Sequence, residues 1–341
     1  MQVGFFPLDA ELKLTKHAWS EGTIAEALEL GVEIASYERA AKSYSRLSGV
    51  ALSKSSLQRL VEEYGRALVH EQAAEAKAVV EVPKQNEAII WRQEPVPDSE
   101  MMAVSADGVM LHLRNEGWKE VKAVSVSAVT LTVDGQSGER TIGLQQHSYR
   151  AGLWDATTFA QHYWAESLRR GVNRAKCIAC VNDGAAWIWA IVFMCFARCV
   201  EILDWWHVVQ RLWTIADAHF TDPALAAAWV SQRKADLAQS HLRTLFQQIR
   251  LLYPRGQPLP DPVRQAIAYL FHNRHRLDYA AYRQLGLPIG SGTIESACKS
   301  VVQARMTQAG MRWSRTGAQA MLALRCLLLS DRWEQLPSLT L

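Results

Sequence analysis

The sequence predicts an α/β fold in which three meandering strands lead into helix-linked ones, in the order β-β-β-α-β-α-β-α. Three observations predict it. Between about residues 101 and 152, apolar residues alternate with small or polar ones at period two. From about 153 to 220, helical runs alternate with the short apolar runs KCIACVND and CVEILDWW, the pattern of parallel strands joined by crossovers. From about 221 to 285 only helical periodicity is present, so an all-helical insertion separates the last strand from the final helices.

Each element has a local reason. EGTIAEALELGVEIAS and YERAAKSYSRLSG carry apolar residues at three- and four-residue spacing, and Gly49 ends the second run. VALSKSSLQRLVEEYGRALVHEQ then begins, with Ser53 or Ser55 as N-cap. Helix, short glycine turn and capped helix outline a helix-turn-helix over residues 1–80; a plain packing unit has the same outline. VPKQNEAIIWRQEPVPDSE, in 81–100, reads as a linker. MMAVSADG and VMLHLR read as two paired strands with Asp107 ending the first, since Asp-Gly is a strong hairpin signal. KAVSVSAVTLTVDG and GERTIGLQQHSYRAG continue the meander. DATTFAQHYWAESLRRGV is a helix with Asp155 or Thr157 at its start, and GAAWIWAIVFMCF and WHVVQRLWTIADAHF are helices after the two buried strands. The α/β portion thus divides into 101–220, the insertion 221–285, and C-terminal helices 286–341.

Composition narrows the class. The chain has 341 residues, 49% hydrophobic and 21% charged, an ordinary globular balance. A net charge of +3 does not by itself argue for nucleic acid. Local clusters (Arg169, Arg170 and Arg174; Arg305, Arg312 and Arg315) are DNA-facing candidates, with a solvated helix face as the plain alternative. The N-terminus lacks the pattern of a signal peptide, and the apolar stretch AAWIWAIVFMCFARCV is short for a bilayer and broken by Arg198. A cytoplasmic protein with six reduced cysteines is expected. Cys177 and Cys180 form a C-x-x-C inside a predicted buried strand, which favours buried thiols over zinc. No P-loop, dinucleotide fingerprint or G-x-S-x-G elbow is present.

The residues that carry chemistry are carboxylates. Asp107 in VSADGVMLHLR and Asp183 in CIACVNDGAAWIW each follow an apolar run and precede a glycine. Glu295 in PIGSGTIESACK falls in the first turn of a helix. Singly they read as a turn aspartate, a helix cap and a dipole-compensating glutamate. Together, on this strand pattern, they suit hard divalent cations, which want oxygen ligands. Asp204 and His207 in DWWH are a second acid-imidazole pair, and Asp204 rivals Asp183 as metal ligand. In a 3-2-1-4-5 sheet Asp183 ends the strand beside that of Asp107, which favours it. Of the 13 tryptophans, Trp187, Trp189, Trp205 and Trp206 flank the acidic site, and Trp313 lies between Arg312 and Arg315.

At ADG, NDGAAWIW, ILDWWHV and LPIGSGTIESACKSVVQARMTQAGMRWS…GAQAMLALR the chain resembles bacterial insertion-sequence transposases of the ISKra family, within the Mutator-like DDE transposases. The resemblance spans about residues 20–335 and is most specific in the GSG…ESACK…MRW block. It implies a ribonuclease-H-like mixed sheet split by the helical insertion. Asp107, Asp183 and Glu295 would then bind two Mg²⁺ ions, with Mn²⁺ as substitute, and Asp204 and His207 would support the site. It implies cleavage at transposon ends and strand transfer into target DNA, with the terminal inverted repeats and target DNA as partners and a homodimer or higher oligomer on DNA. Lys54, Lys299, Arg305, Arg312, Trp313 and Arg315 are the expected DNA contacts. The alternatives are an inactive or truncated remnant that only binds DNA, and a ribonuclease-H-like nuclease without strand transfer.

Overall fold

The computed structural model describes residues 19–81, 100–133, 135, 138, 140–254, 256 and 258–338. The expected linker lies almost wholly outside them. Three helices come first: α1 (Glu21–Glu33), α2 (Tyr37–Ser48) and α3 (Lys54–Glu81). Ser20 and Ser36 cap the first two, and Gly49 ends α2 in the left-handed conformation at φ 73°. Ser53 is the cap of α3, its Oγ accepting from Ser56 N at 3.0 Å.

Next are β1 (Met101–Leu113), β2 (Gly117–Val133), β3 (Arg140–Gly152), α4 (Ala156–Arg169), β4 (Cys177–Asn182), α5 (Ala186–Cys195), β5 (Val200–Leu203) and α6 (Trp205–Asp217). They form one mixed five-stranded sheet in the order β3-β2-β1-β4-β5. β1–β2 and β2–β3 are antiparallel, while β1–β4 and β4–β5 are parallel. This is the α/β architecture the alternation predicts, and it is consistent with a ribonuclease-H-like arrangement.

One strand corrects the sequence reading. VSADG and VMLHLR are not two strands: β1 runs unbroken through Asp107–Gly108, with Asp107 opposite Ala123. The chain reverses instead at Asn115 and Gly117, both with positive φ (63° and 72°). The Asp-Gly signal is overridden because β2 supplies a partner for every residue from Met102 to Leu113.

The two faces of the sheet carry two cores. Met102, Val104 and Ala106 point into one, with α4, α5, α6 and the insertion. The insertion comprises α7 (Pro223–Ala238), α8 (Leu242–Leu252), α9 (Asp261–His272) and α10 (Tyr279–Gln284). Leu111, Leu113, Val121 and Ala123 face the other core, which holds the N-terminal helices and the last ones. Those are α11 (Gly292–Ala297), a π-helical stretch (Cys298–Gln303), α12 (Ala304–Met306) and α13 (Arg315–Leu329). The N-terminal helices therefore pack as a layer on the sheet assembly.

A buried ion network ties these layers. Arg150 on β3 contacts Glu75 of α3 at 2.8 Å and Glu166 of α4 at 3.4 Å. Arg169 holds Glu75 at 2.6 Å, and Arg332 holds Glu166 at 2.8 Å. Burial pushes both carboxyls up, but the arginines outweigh it and leave each below its ordinary range. Arg169 is thus inside the fold, not on a DNA-facing surface.

A glutamate with a depressed folded-state pKa contributes stability above its unfolded value, lost as pH falls through the folded one. Glu166→Gln should therefore cost about 3–5 kcal/mol at neutral pH, because two arginines stay buried without their carboxylate. Denaturant melts should show the gap from wild type narrowing as pH drops well below 4.5.

Candidate metal and DNA site

The carboxyl edge of the parallel strands is laced together by side chains. β1 pairs with β4 only from Met101 to Val104, so beyond Val104 its edge is open. Asn182, the last residue of β4, bridges the gap: its Oδ1 accepts from Ala106 N at 2.7 Å. Its carbonyl accepts from Asp204 N at 2.8 Å. Asp107, Asp183 and Asp204 are carried on β1 and just past the ends of β4 and β5.

Each aspartate is oriented by backbone amides. Asp107 Oδ1 accepts from Gly108 N at 2.7 Å, and Asp183 Oδ1 from Ala185 N at 2.8 Å. Asp204 is 0% exposed, and both its oxygens are engaged. Oδ1 caps α6 through His207 N at 2.8 Å, and Oδ2 accepts from Ser291 N at 2.5 Å. With Trp205 N donating to Ile289 O at 3.0 Å, this clamps the segment that opens α11. Glu295 follows one turn later and is brought to the site from the far side of the insertion.

The acids converge. Ligand atoms of Asp204, His207 and Glu295 lie within 4.8 Å of one another, close enough to share an ion. The pKa of Asp107 is raised, first by burial and then by the charges of Asp183 and Glu295, while the Gly108 amide and His207 pull it down. The Cys298 thiol donates to Asp107 Oδ2 at 3.9 Å and is itself pushed up to about 12 by burial and by Asp107.

The tightest three-ligand set therefore contains Asp204 and His207, the pair expected to act in support, rather than Asp107 and Asp183. Geometry separates proximity from availability. Asp204 has an amide on each oxygen and no exposed surface, whereas Asp183 is partly exposed and uses only Oδ1. None of Asp107, Asp183, Asp204 or Glu295 makes a salt bridge to lysine or arginine among the described residues. That contrasts with Glu75 and Glu166, each held by two arginines.

Several contributors have no sequence signal. Tyr269, on α9 of the insertion, accepts from Gly184 N at 3.1 Å beside Asp183, and burial and the Asp183 charge push its pKa up to about 12. A Cβ at Gly184 would sit 2.2 Å from the Tyr269 ring, so only glycine fits there. Asn182 and Cys298 are equally silent in sequence, since their partners lie far along the chain. Trp206, by contrast, borders the site and is 61% exposed, as its place in DWWH suggested.

The expected DNA contacts divide. Lys54, Lys299 and Arg312 are exposed. Arg305 corrects the expectation: it is 1% exposed, with its guanidinium on Gly31 O and Ala35 O at the end of α1. A helix end leaves carbonyls unsatisfied, and a cation there is favourable. Trp313 is likewise structural, its Nε1 donating to Met306 O at 3.0 Å and its ring against Tyr37 and Arg305. Arg315 is ion-paired to Glu116 at 2.5 Å.

No family model and no curated protein matches the chain. Among solved structures, the Drosophila P element transposase strand transfer complex aligns with 96% of this chain and 83% of that one, at 7% identity and a TM-score of 0.28. A likeness that slight leaves the reading to the chain's own geometry.

Asp204→Asn should lower stability by about 1–3 kcal/mol, because an amide nitrogen would meet a backbone N–H. Asp183→Asn should leave the melting temperature within about 1 °C of wild type, the result expected away from buried networks. Equal losses in the two melts would show that Asp183 is as structural as Asp204.

Proposed function

We propose that this chain is a DDE-type DNA transposase that cleaves DNA at the ends of a mobile element and joins the freed 3′ ends to target DNA. One observation carries the reading: four carboxylates and an imidazole meet at the carboxyl edge of a mixed β3-β2-β1-β4-β5 sheet without a basic partner among the described residues. Crowded anions in a partly buried place are costly unless a cation joins them.

The residues fit such a cation. The donors are oxygens with one imidazole, and three ligand atoms already lie within 4.8 Å of each other. In this reading Asp107, Asp183 and Glu295 hold a pair of divalent ions, Mg²⁺ or Mn²⁺, and Asp204 and His207 support them. Such ions, when bound, neutralise charge on the scissile phosphate and activate the attacking oxygen. The chain's residues do the positioning. Amides of Gly108 and Ala185 fix the two aspartates, and the Asp204–Ser291 clamp fixes the start of the Glu295 helix. The attacking groups are water and then the DNA's own 3′-OH, so no serine or cysteine nucleophile is required. Lys54, Lys299, Arg312 and the exposed Trp206 are the DNA contacts in this proposal, with a dimer or larger assembly on the DNA.

Purified protein should nick supercoiled plasmid with Mg²⁺ or Mn²⁺ and stop in EDTA. Asp107→Ala, Asp183→Ala and Glu295→Ala should each reduce nicking to background while mobility-shift binding persists. A pre-cut oligonucleotide should also be joined to plasmid; nicking without joining would favour a plain nuclease. An active Asp183→Ala beside a dead but folded Asp204→Ala would reverse the assignment of the second acid. Because the Asp107 pKa is raised, protons should compete with metal at a higher pH than at an ordinary carboxylate. Activity should then fall on acidification before an unperturbed aspartate would titrate, with added Mn²⁺ restoring it.

A further inference from the structure

A second feature lies on the same open edge of β1. Past Asp107 the strand runs on to Leu113, where Trp313 makes a parallel bridge and Trp313 O accepts from Arg114 N at 2.8 Å. Between these points is a cavity of about 330 Å³ whose lining includes Leu111, His112, Trp118, Met306, Met311 and Arg312. Trp118 is 63% exposed, and His112 stands edge-on to it at 5.3 Å. The His112 Nδ1 is buried without a hydrogen-bond partner among the described residues. Arg114 and Arg312 are exposed at the rim, while the nearby acids Glu116 and Glu120 are already paired with Arg315 and Lys122. The rim is thus net basic.

We propose that this cavity receives an unpaired nucleobase of the bound DNA, with Trp118 as stacking platform and His112 as partner for the base edge. The proposal rests on the DNA-cutting reading and names a specificity element within it. Three properties point to a base. An exposed indole offers a stacking face, which suits any base. The imidazole nitrogen offers one polar contact without demanding a charge. The rim attracts the adjoining phosphates.

The test uses the full chain in EDTA, so that binding is read without cleavage. Fluorescence anisotropy compares a labelled duplex bearing a single-stranded overhang with its blunt counterpart. Wild type should prefer the overhang. Trp118→Ala should weaken overhang binding about tenfold and leave the blunt duplex unchanged, while Trp118→Phe keeps most of the preference. Equal affinity of wild type for both duplexes, or an effect of Trp118→Ala on both alike, would overturn the proposal. Glu295→Ala separates the two readings: it should lose nicking and keep the overhang preference. Preference without any nicking in wild type would sink the catalytic reading alone, and nicking without preference would sink this one alone.

Discussion

Negative charge taken out of water has to be neutralised, and this chain does so in two different ways. Between β3, α3 and α4, arginines from three parts of the sequence close on Glu75 and Glu166. At the carboxyl edge of β4 and β5 the acids are just as crowded, yet their orientation comes from amides, on Asp107, Asp183 and Asp204. Amides fix where a carboxylate points but leave its charge in place. The site is therefore preorganised and electrically incomplete, the condition under which a cation binds without rearranging its ligands. Were the cluster merely structural, an arginine there would stabilise it as Arg150 does elsewhere.

The helical insertion belongs to that preorganisation. It leaves after α6 and returns at Ile289–Ser291, where the chain is fastened back to the start of that helix: Trp205 to Ile289 and Asp204 to Ser291. Lengthening a loop whose ends are already held costs little, since closure entropy grows only with the logarithm of length. Glu295 can thus be far from Asp183 in sequence and near it in space. Tyr269 reaches back from within the insertion to the Gly184 amide, so the insertion also packs against the acid it separates from Glu295.

What could be read from the residues was what local chemistry decides. The alternation of strands and helices, the Ser53 and Asp155 caps, the strand-end place of Asp183 and the first-turn place of Glu295 all follow from neighbours a few residues away. The errors share a cause. Asp107–Gly108 looks like a turn until β2 is known to pair across it. Arg305 looks like a surface cation until its partners, the carbonyls of Gly31 and Ala35, are placed against it. Arg325 repeats the lesson, holding Val32 O, Ser300 O and Val301 O, the latter two in the π-helical stretch, with burial lowering its pKa to about 10. A charge written on a helix does not say which face it occupies.

The misread strand is also what makes the site reachable. β1 outruns its parallel neighbour: pairing with β4 stops at Val104 while β1 continues to Leu113. An unpaired strand edge is a hazard, because it invites pairing with another chain. Here Asn182 covers Ala106, Trp313 bridges Leu113, and the helical segment from Gly292 to Met306 packs beside β1 between them. Those coverings leave a cavity at the far end of the edge, lined by Leu111, His112 and Trp118. Had β4 continued alongside, the edge would be safe, and the aspartate would sit beneath a paired strand. The overhang therefore accepts a pairing risk, contained by side chains, in return for an acidic group held in a sheet and still open to a ligand.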